Sequence, residues 1–169
     1  MALNTTPGDQ DADSYFTLEE GADYAAKKGL SFPISPAEPA EQAARRGTAW
    51  VDATYRPRFM GAATDVWQNL EFPRVGVIYR GQPLDDDVIP KQIKEAAIEA
   101  AIRELANPGS LSPDRQRGGA IKELKAGSVD ITFADNAPIE TTFTAIDGLL
   151  SGFLLPVKGK TSTAFVARA

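Results

Sequence analysis

The sequence has no cysteine and no histidine among its 169 residues. Their absence excludes disulfides, thiolate chemistry and the usual zinc sites, and it removes the commonest general base of enzymes. We therefore expect a protein that is not an enzyme and that needs no cofactor. No apolar run is long enough to span a membrane, and residues 1–13 lack the features of a signal peptide. We accordingly expect a soluble protein, made in the cytoplasm, with no membrane partner.

Basic residues are also in the minority, with 18 lysines and arginines against 23 acidic residues and a net charge of -5. Such a balance predicts no general attraction to phosphate backbones, so binding to nucleic acid would need a local basic patch. The charge is uneven along the chain. Every charged side chain before Lys27 is acidic, whereas after Asp147 only Lys158, Lys160 and Arg168 carry charge. The two ends either meet different partners or are simply solvated termini.

Length and composition indicate one globular core, since 43% of the residues are hydrophobic and 24% are charged. We divide the chain into an extended N-terminal segment (1–12), a helical core (13–155) with a hairpin near 120–134, and a C-terminal arm (156–169). The arm is small, polar and basic, and it is too poor in apolar residues to fold alone. The predicted fold is mainly α, a small bundle of about four helices with a β-hairpin and an extended C-terminal arm.

Capping motifs mark the first two helices. Thr17-Leu18-Glu19-Glu20 is a capping box that predicts a helix from Leu18 to Lys28. Ser35-Pro36-Ala37-Glu38 has the same pattern with proline at the first helical position, and the helix it begins should end near Tyr55. Alanines and Gly47 dominate the packing face of this second helix, so another helix can approach it closely.

A third helix, from Pro90 to Ala106, is apolar around most of its circumference. Such a helix is either internal to the core or shared with another subunit. Under the second reading, the subunit interface would include residues from the helix and from the polar loop after it, namely Ile98, Ile102, Leu105, Arg115 and Arg117. A fourth helix, capped by Thr142, should end before Pro156.

Extended and turn segments lie on either side of the third helix. Trp67, Leu70 and Phe72 should bury together, and residues 75–80 should form one short strand. Residues 121–125 and 128–133 should pair as a hairpin around Ala126-Gly127.

Two charged clusters raise the question of binding chemistry. Asp85-Asp86-Asp87 could bind a hard cation, but no companion ligand spacing supports a metal site, and we prefer to explain these carboxylates by the dipole of the third helix. Arg115 and Arg117 resemble a nucleic-acid loop but lack interleaved aromatic residues, which favours a solvated loop or a contact with a neighbouring subunit.

The order of several motifs is similar to the phage proteins grouped as DnaT-like single-stranded-DNA-binding proteins. The similarity covers roughly residues 13–154, and the part from Gln68 to Gly76, which begins Gln68-Asn69-Leu70-Glu71-Phe72-Pro73-Arg74, carries most of it. The other elements are Asp13-Ser14-Tyr15, Trp50-Val51-Asp52-Ala53-Thr54-Tyr55-Arg56 with Phe59 and Gly61, Ile89-Pro90, Ile93-Lys94-Glu95-Ala96, and the basic hairpin strand Ile121-Lys122-Glu123-Leu124-Lys125-Ala126-Gly127.

Proteins of this kind also resemble the head–tail connectors, or adaptors, of long-tailed phages. That resemblance implies a structural protein of the virion neck, which forms a dodecameric ring under the portal, extends the DNA channel and carries the tail. Its partners would be other copies of the chain, the portal protein and a tail or neck protein, while packaged DNA would pass through without sequence-specific binding. We add the hypothesis that the arm docks on the portal through Val157, Lys158, Lys160, Phe165 and Arg168.

The family label itself implies a different function, a replication protein that binds single-stranded DNA. Such a protein needs a basic groove with aromatic platforms. The acidic balance and the expected burial of Trp67 and Phe72 favour the connector at this point.

Overall fold

The computed structural model describes residues 2–112, 123–126, 129–132 and 142–156. Within these residues the chain forms four α-helices and three antiparallel strand pairs, which confirms the predicted mainly α fold with a β-hairpin. The helices are α1 (Leu18–Lys28), α2 (Ala37–Tyr55), α3 (Lys91–Ala106) and α4 (Thr144–Leu150). The strand pairs are β1 (Ala62–Ala63) with β2 (Arg74–Val75), β3 (Ile78–Tyr79) with β4 (Gln82–Pro83), and β5 (Glu123–Ala126) with β6 (Val129–Thr132).

Helix α1 begins and ends as its capping residues predict. The Thr17 hydroxyl accepts the Glu20 amide at 3.2 Å, and the Glu20 carboxylate accepts the Thr17 amide at 2.9 Å. Gly29 closes the helix with φ 67°, a left-handed conformation that glycine adopts without steric cost. The capping box therefore forms as the sequence predicts.

The caps predicted for two other helices are wrong. Pro36 occupies the N-cap of α2 with extended backbone and no side-chain hydrogen bond, so Ser35 lies one residue too far out to cap. Phe143, rather than Thr142, is the N-cap of α4, again with no side-chain hydrogen bond. The N-cap residue of each helix lacks a side chain that could accept from the first turn, so tertiary packing must position both helix starts.

Helices α2 and α3 pack with almost no space between their backbones. A Cβ atom added to Gly47 would lie 2.5 Å from the Ala101 amide nitrogen and 2.9 Å from the Ala97 carbonyl oxygen. Ala40, Ala43 and Ala44 on the same helix are completely buried. The expected close approach is thus confirmed, and α3 is the helix that makes it.

Helix α3 lies at the centre of the domain. It packs against α1, α2 and α4, and its apolar residues Ile93, Ala96, Ala97, Ala100 and Ala101 are fully buried. The core of this one chain therefore covers most of the apolar circumference of α3. None of the described helices is long and apolar enough to cross a membrane.

The segment from residue 74 to residue 83 folds differently from the single strand predicted for residues 75–80. Gly76 has φ 74° and turns the chain between β2 and β3, so Val75 pairs with Ala62 while Ile78 pairs with Pro83. Arg80 and Gly81 connect β3 to β4 with φ 52° and 78°, the positive values that a tight type I′ hairpin turn requires. Arg80 therefore stands at the tip of a two-residue turn.

The N-terminal residues lie against the core. The Asp13 carboxylate accepts the Asn4 amide at 2.9 Å and pairs with the Arg45 guanidinium at 2.6 Å. Ala12 is buried, and Leu3 packs against the core. The segment 2–12, predicted to be extended, is therefore folded back onto the domain by hydrogen bonds and an ion pair.

Candidate nucleic-acid interface

The stretch from Gln68 to Arg74 holds the loops of the domain together through its own side chains. Gln68 donates from Nε2 to the carbonyls of Leu70 and Pro73 at 2.7 and 3.0 Å. Asn69 donates from Nδ2 to the Ala12 carbonyl at 2.7 Å, which ties the loop to the N-terminal segment. The residues that carry most of the family resemblance thus act structurally.

A buried tyrosine and a buried carboxylate anchor this stretch to the helices. The Tyr15 hydroxyl donates to Asp52 and accepts the Phe72 amide at 3.1 Å, and the second oxygen of Asp52 accepts the Glu71 amide at 3.1 Å. Burial raises the pKa of Asp52 to about 6 despite these hydrogen bonds. Burial and the neighbouring Asp52 carboxylate raise the pKa of Tyr15 as well.

Arg74 fixes the chain that leads into β1. It is 8% exposed, and it donates to the carbonyls of Met60 and Gly61 at 2.9 and 2.8 Å. Its charge is balanced by Glu71 at 2.7 Å, which also pairs with Arg56 at 2.7 Å. Because a buried guanidinium needs both a counter-charge and hydrogen-bond acceptors, Arg74 is a structural cation rather than a ligand-binding one.

Trp67 projects from the turn that this framework supports. The prediction that it is buried with Leu70 and Phe72 is wrong, because Leu70 and Phe72 are buried whereas Trp67 is 77% exposed and Val66 is 84% exposed. The Asp65 carboxylate accepts the Trp67 amide at 2.8 Å, and the Gln68 side chain accepts the Asp65 amide at 2.9 Å. These bonds form a tight turn with the indole outside it, and the polar residues around Trp67 are the sequence signal for that turn.

Acidic residues lie on the Trp67 turn and on the segment bonded to it. The Thr64 hydroxyl donates to the Asp86 carbonyl at 2.6 Å, so the segment Asp85–Asp87 lies against the Trp67 turn. These three aspartates and Asp65 are exposed, and no ion pair joins any of them to a lysine or arginine in the described part of the chain. We call Val66, Trp67, Val88 and these four aspartates the Trp67 surface.

The prediction that Asp85–Asp87 serve the dipole of the third helix is wrong. Helix α3 starts at Lys91 with no acidic residue in its first turn, and the influence of the dipole falls off beyond that turn. Among the described residues, no group of three or more potential ligands is arranged to hold a metal ion.

Basic and aromatic side chains lie against residues 153–155, just after α4. The Tyr79 ring stacks on the Phe153 ring, with centroids 4.6 Å apart and planes 10° apart. The Arg80 guanidinium lies 5.1 Å from the centre of the Tyr79 ring, and it must cover the opposite face because Phe153 occupies the first. This stack presents a cation at the surface.

Arg58 lies along the same segment. Its carbonyl accepts the Leu155 amide at 2.6 Å, and its side chain lines an open cavity of about 450 Å³ with Asp147, Ser151 and residues 154–156. Neither Arg58 nor Arg80 forms an ion pair with a described carboxylate. We call Arg58, Ile78, Tyr79, Arg80 and Leu155 the exit face.

Of the residues predicted for a subunit interface, the three on α3 do not form one exposed surface. Ile98 is 2% exposed, while Ile102 and Leu105 are half-buried. Arg115 and Arg117 lie outside the described residues, and so do all the residues assigned to the arm: Val157, Lys158, Lys160, Phe165 and Arg168. A single chain does not test contacts between subunits, so the interface stays a prediction.

The sequence analysis did not predict the exit face. Tyr79 and Arg58 are far apart in sequence, and only the folded chain brings both against residues 153–155, where Tyr79 stacks on Phe153 and Arg58 bonds to Leu155. A local signal existed at Arg80-Gly81, since a glycine in a two-residue turn between apolar residues indicates a hairpin tip.

Fold and site together define a small helical domain that presents contact side chains on short turns. The family model described as "Putative DnaT-like ssDNA binding protein" matches residues 1–169, and the chain therefore belongs to that family. No curated protein and no solved structure matches the chain.

Membership of this family confirms the resemblance but corrects the function predicted from it. The connector role is wrong, together with the ring under the portal, the portal-docking arm, the tail-side partner and the passage of DNA without binding, because the family is described by binding to single-stranded DNA. The acidic net charge had favoured a connector because the sequence showed no local basic surface and no exposed aromatic side chain. The fold has both, so the net charge no longer argues against DNA binding. The predicted location in the virion neck followed from the connector role alone.

Proposed function

We propose that this protein binds single-stranded DNA and that the exit face is part of its binding surface. The observation that carries the proposal is the family match over residues 1–169. The exit face supports it because cations and an aromatic stack occur there together. Proteins use this combination to bind single-stranded nucleic acids. The proposed role is one of binding, without catalysis by this chain.

The two arginines of the exit face suit different parts of a strand. Arg58 is half-buried beside an open cavity that Asp147 also lines, and its Nε donates to the Leu155 carbonyl at 3.5 Å. It forms no ion pair with a described carboxylate, so a phosphate can still approach its guanidinium. Arg80 is exposed and already lies on an aromatic ring, so a base can extend the stack on its guanidinium plane. Ile78 and Leu155 are exposed apolar side chains that can add contact area.

The net charge and the number of arginines predict how strongly binding depends on salt. With a net charge of -5, long-range attraction to DNA is absent, and affinity must come from a few local contacts. Each phosphate neutralised on a single strand contributes about -0.7 to the slope of log affinity against log salt. Two arginines therefore contribute about -1.4 to that slope, a weak salt dependence for a DNA-binding protein.

The test is a fluorescence-anisotropy titration of a labelled oligothymidine over a salt series, with the duplex of the same length for comparison. We expect the full chain to prefer the single strand. The double variant Arg58→Ala/Arg80→Ala should bind at least about tenfold more weakly, with a slope shallower by about 1.4.

The matched control removes two other cations, Lys27 and Lys28, at the end of α1. Neither forms an ion pair with a described carboxylate, so Lys27→Ala/Lys28→Ala changes the net charge equally without touching the exit face. Equal losses in the two double variants would show that only net charge matters and would refute the assignment of the exit face. No binding by the unmodified chain would refute the function itself.

A further inference from the structure

The Trp67 surface joins two features that are unfavourable in water. A large indole and two valines are exposed on two segments that a hydrogen bond from Thr64 to Asp86 joins, and the same two segments have four carboxylates without an ion-pair partner among the described residues. Exposed apolar groups of this kind indicate a contact surface, and unpaired carboxylates indicate the sign of charge on the partner. The surface is therefore suited to a segment that is both apolar and basic.

Single-stranded DNA does not fit this description. A base could stack on Trp67, but its phosphates would then lie among Asp65 and Asp85–Asp87, and like charges at close range repel. The exit face, which has cations and an aromatic stack, is the better place for DNA. The Trp67 surface needs a different occupant.

We propose that the C-terminal segment of the same chain, residues 157–169, docks on the Trp67 surface. This segment has three basic side chains, Lys158, Lys160 and Arg168, and no acidic one. It also has three large apolar side chains, Val157, Phe165 and Val166. Its cations complement the four aspartates, and its apolar residues complement Trp67, Val66 and Val88.

The chain is long enough for this contact to occur within one molecule. Leu154 pairs with Phe59, and Leu155 donates to the Arg58 carbonyl, so the segment starts beside residue 58. Trp67 is nine residues beyond Arg58, and Phe165 is nine residues beyond Pro156. Nine extended residues span about 30 Å, whereas the path from Arg58 to Trp67 is shortened by a turn and by β1. Phe165 can therefore reach Trp67 of its own chain.

The experiment is zero-length cross-linking of the full chain with a carbodiimide, which joins lysine amines directly to nearby carboxylates. The linked peptides are identified by mass spectrometry, and an equal mixture of unlabelled and ¹⁵N-labelled protein separates links within one chain from links between chains. We expect Lys158 and Lys160 to be joined to Asp65 or Asp85–Asp87 within one chain. No DNA is present, so the result does not depend on the proposed function.

Two variants make the test specific. Trp67→Ser removes the exposed indole and should reduce these links several-fold, and circular dichroism should show unchanged helical content because Trp67 supports no core contact. Leu30→Ser removes another exposed apolar side chain, at the end of α1, and should leave the links unchanged. Links only between chains, links to other carboxylates, no links, or links that survive Trp67→Ser would each overturn the proposal.

Discussion

Burial in the core changes the pKa of the Asp52 side chain. Its carboxylate is buried and accepts two hydrogen bonds, from the Tyr15 hydroxyl and the Glu71 amide. Those bonds favour the charged form, but the loss of hydration outweighs them and raises the pKa of Asp52 to about 6. The same carboxyl group thus links α2 to the stretch from Gln68 to Arg74 and makes the stability of the domain depend on pH.

We expect Asp52→Asn to lower the free energy of unfolding by about 1–3 kcal/mol at neutral pH. The amide has one acceptor oxygen where the carboxylate has two, so either Tyr15 or the Glu71 amide loses its partner. Urea denaturation measures the change. The exposed Asp11→Asn is the control and should stay within about 0.5 kcal/mol of the unmodified chain.

The cost of Asp52→Asn should also depend on pH. Because the folded-state pKa of Asp52 is raised, from 3.8 to about 6, the folded state holds a proton that the unfolded state releases between these values. This contribution to stability is present below the unfolded pKa and is lost as pH rises through about 6. Asparagine does not titrate, so the cost of the substitution should be about 2 kcal/mol greater at pH 4 than at pH 7. An equal cost at both pH values would contradict the raised pKa.

At the scale of elements, the closest contact in the domain is between α2 and α3. It depends on Gly47, where an added Cβ would meet backbone atoms of Ala97 and Ala101 rather than movable side-chain ends. The two helices would have to separate, which would disturb the buried alanines on both sides. One missing methyl group therefore sets the distance between the two longest helices of the described chain.

We expect Gly47→Ala to destabilise the domain by about 3 kcal/mol or more, because overpacking against rigid backbone exceeds the gain of about 1 kcal/mol in helix propensity. Gly148→Ala in α4 is the matched control. It meets nothing within 4 Å, so only the propensity gain remains, and it should stabilise the domain by about 0.5–1 kcal/mol. Thermal or urea unfolding of both variants gives the comparison, and effects of the same sign would refute the packing argument.

The sequence predicted those elements whose signals are local. The Thr17 capping box, Gly29 and the apolar period of α3 act within a few residues, and they placed α1 and α3 to within one residue. Trp67 was misplaced because hydrophobicity alone does not show that Asp65 and Gln68 turn it outward. The exit face was missed because Tyr79 and Phe153 are distant in sequence, so their contact is a property of the whole fold.

At the scale of the whole molecule, the charges that form no ion pair are grouped by sign. The Trp67 surface is acidic, the exit face has two arginines without an ion pair among the described residues, and the segment after Pro156 is basic. If that segment docks on the Trp67 surface, the phosphates of DNA bound at the exit face, where the segment begins, would compete with the aspartates for its lysines. Binding to one should then weaken binding to the other.

Adding oligothymidine should therefore reduce the cross-links from Lys158 and Lys160 to the aspartates of the Trp67 surface by several-fold. This prediction rests on both proposals and on one further condition, that the phosphates of the bound DNA come within reach of Lys158 and Lys160. An uncharged morpholino of the same sequence is the control, and it should leave the cross-links unchanged because it has no phosphates to compete. Cross-links that persist at saturating oligothymidine would show that the segment and the DNA do not compete.

The contact at Gly47 also limits how the chain can recover from mutation. A side chain at this position meets the backbone of α3, and no smaller residue at position 97 or 101 can withdraw a backbone atom. In a genetic selection that starts from Gly47→Ala, neighbouring substitutions would not restore the packing. Reversion to glycine is the direct route back. We therefore expect such a selection to return glycine at position 47 rather than second-site substitutions in α3.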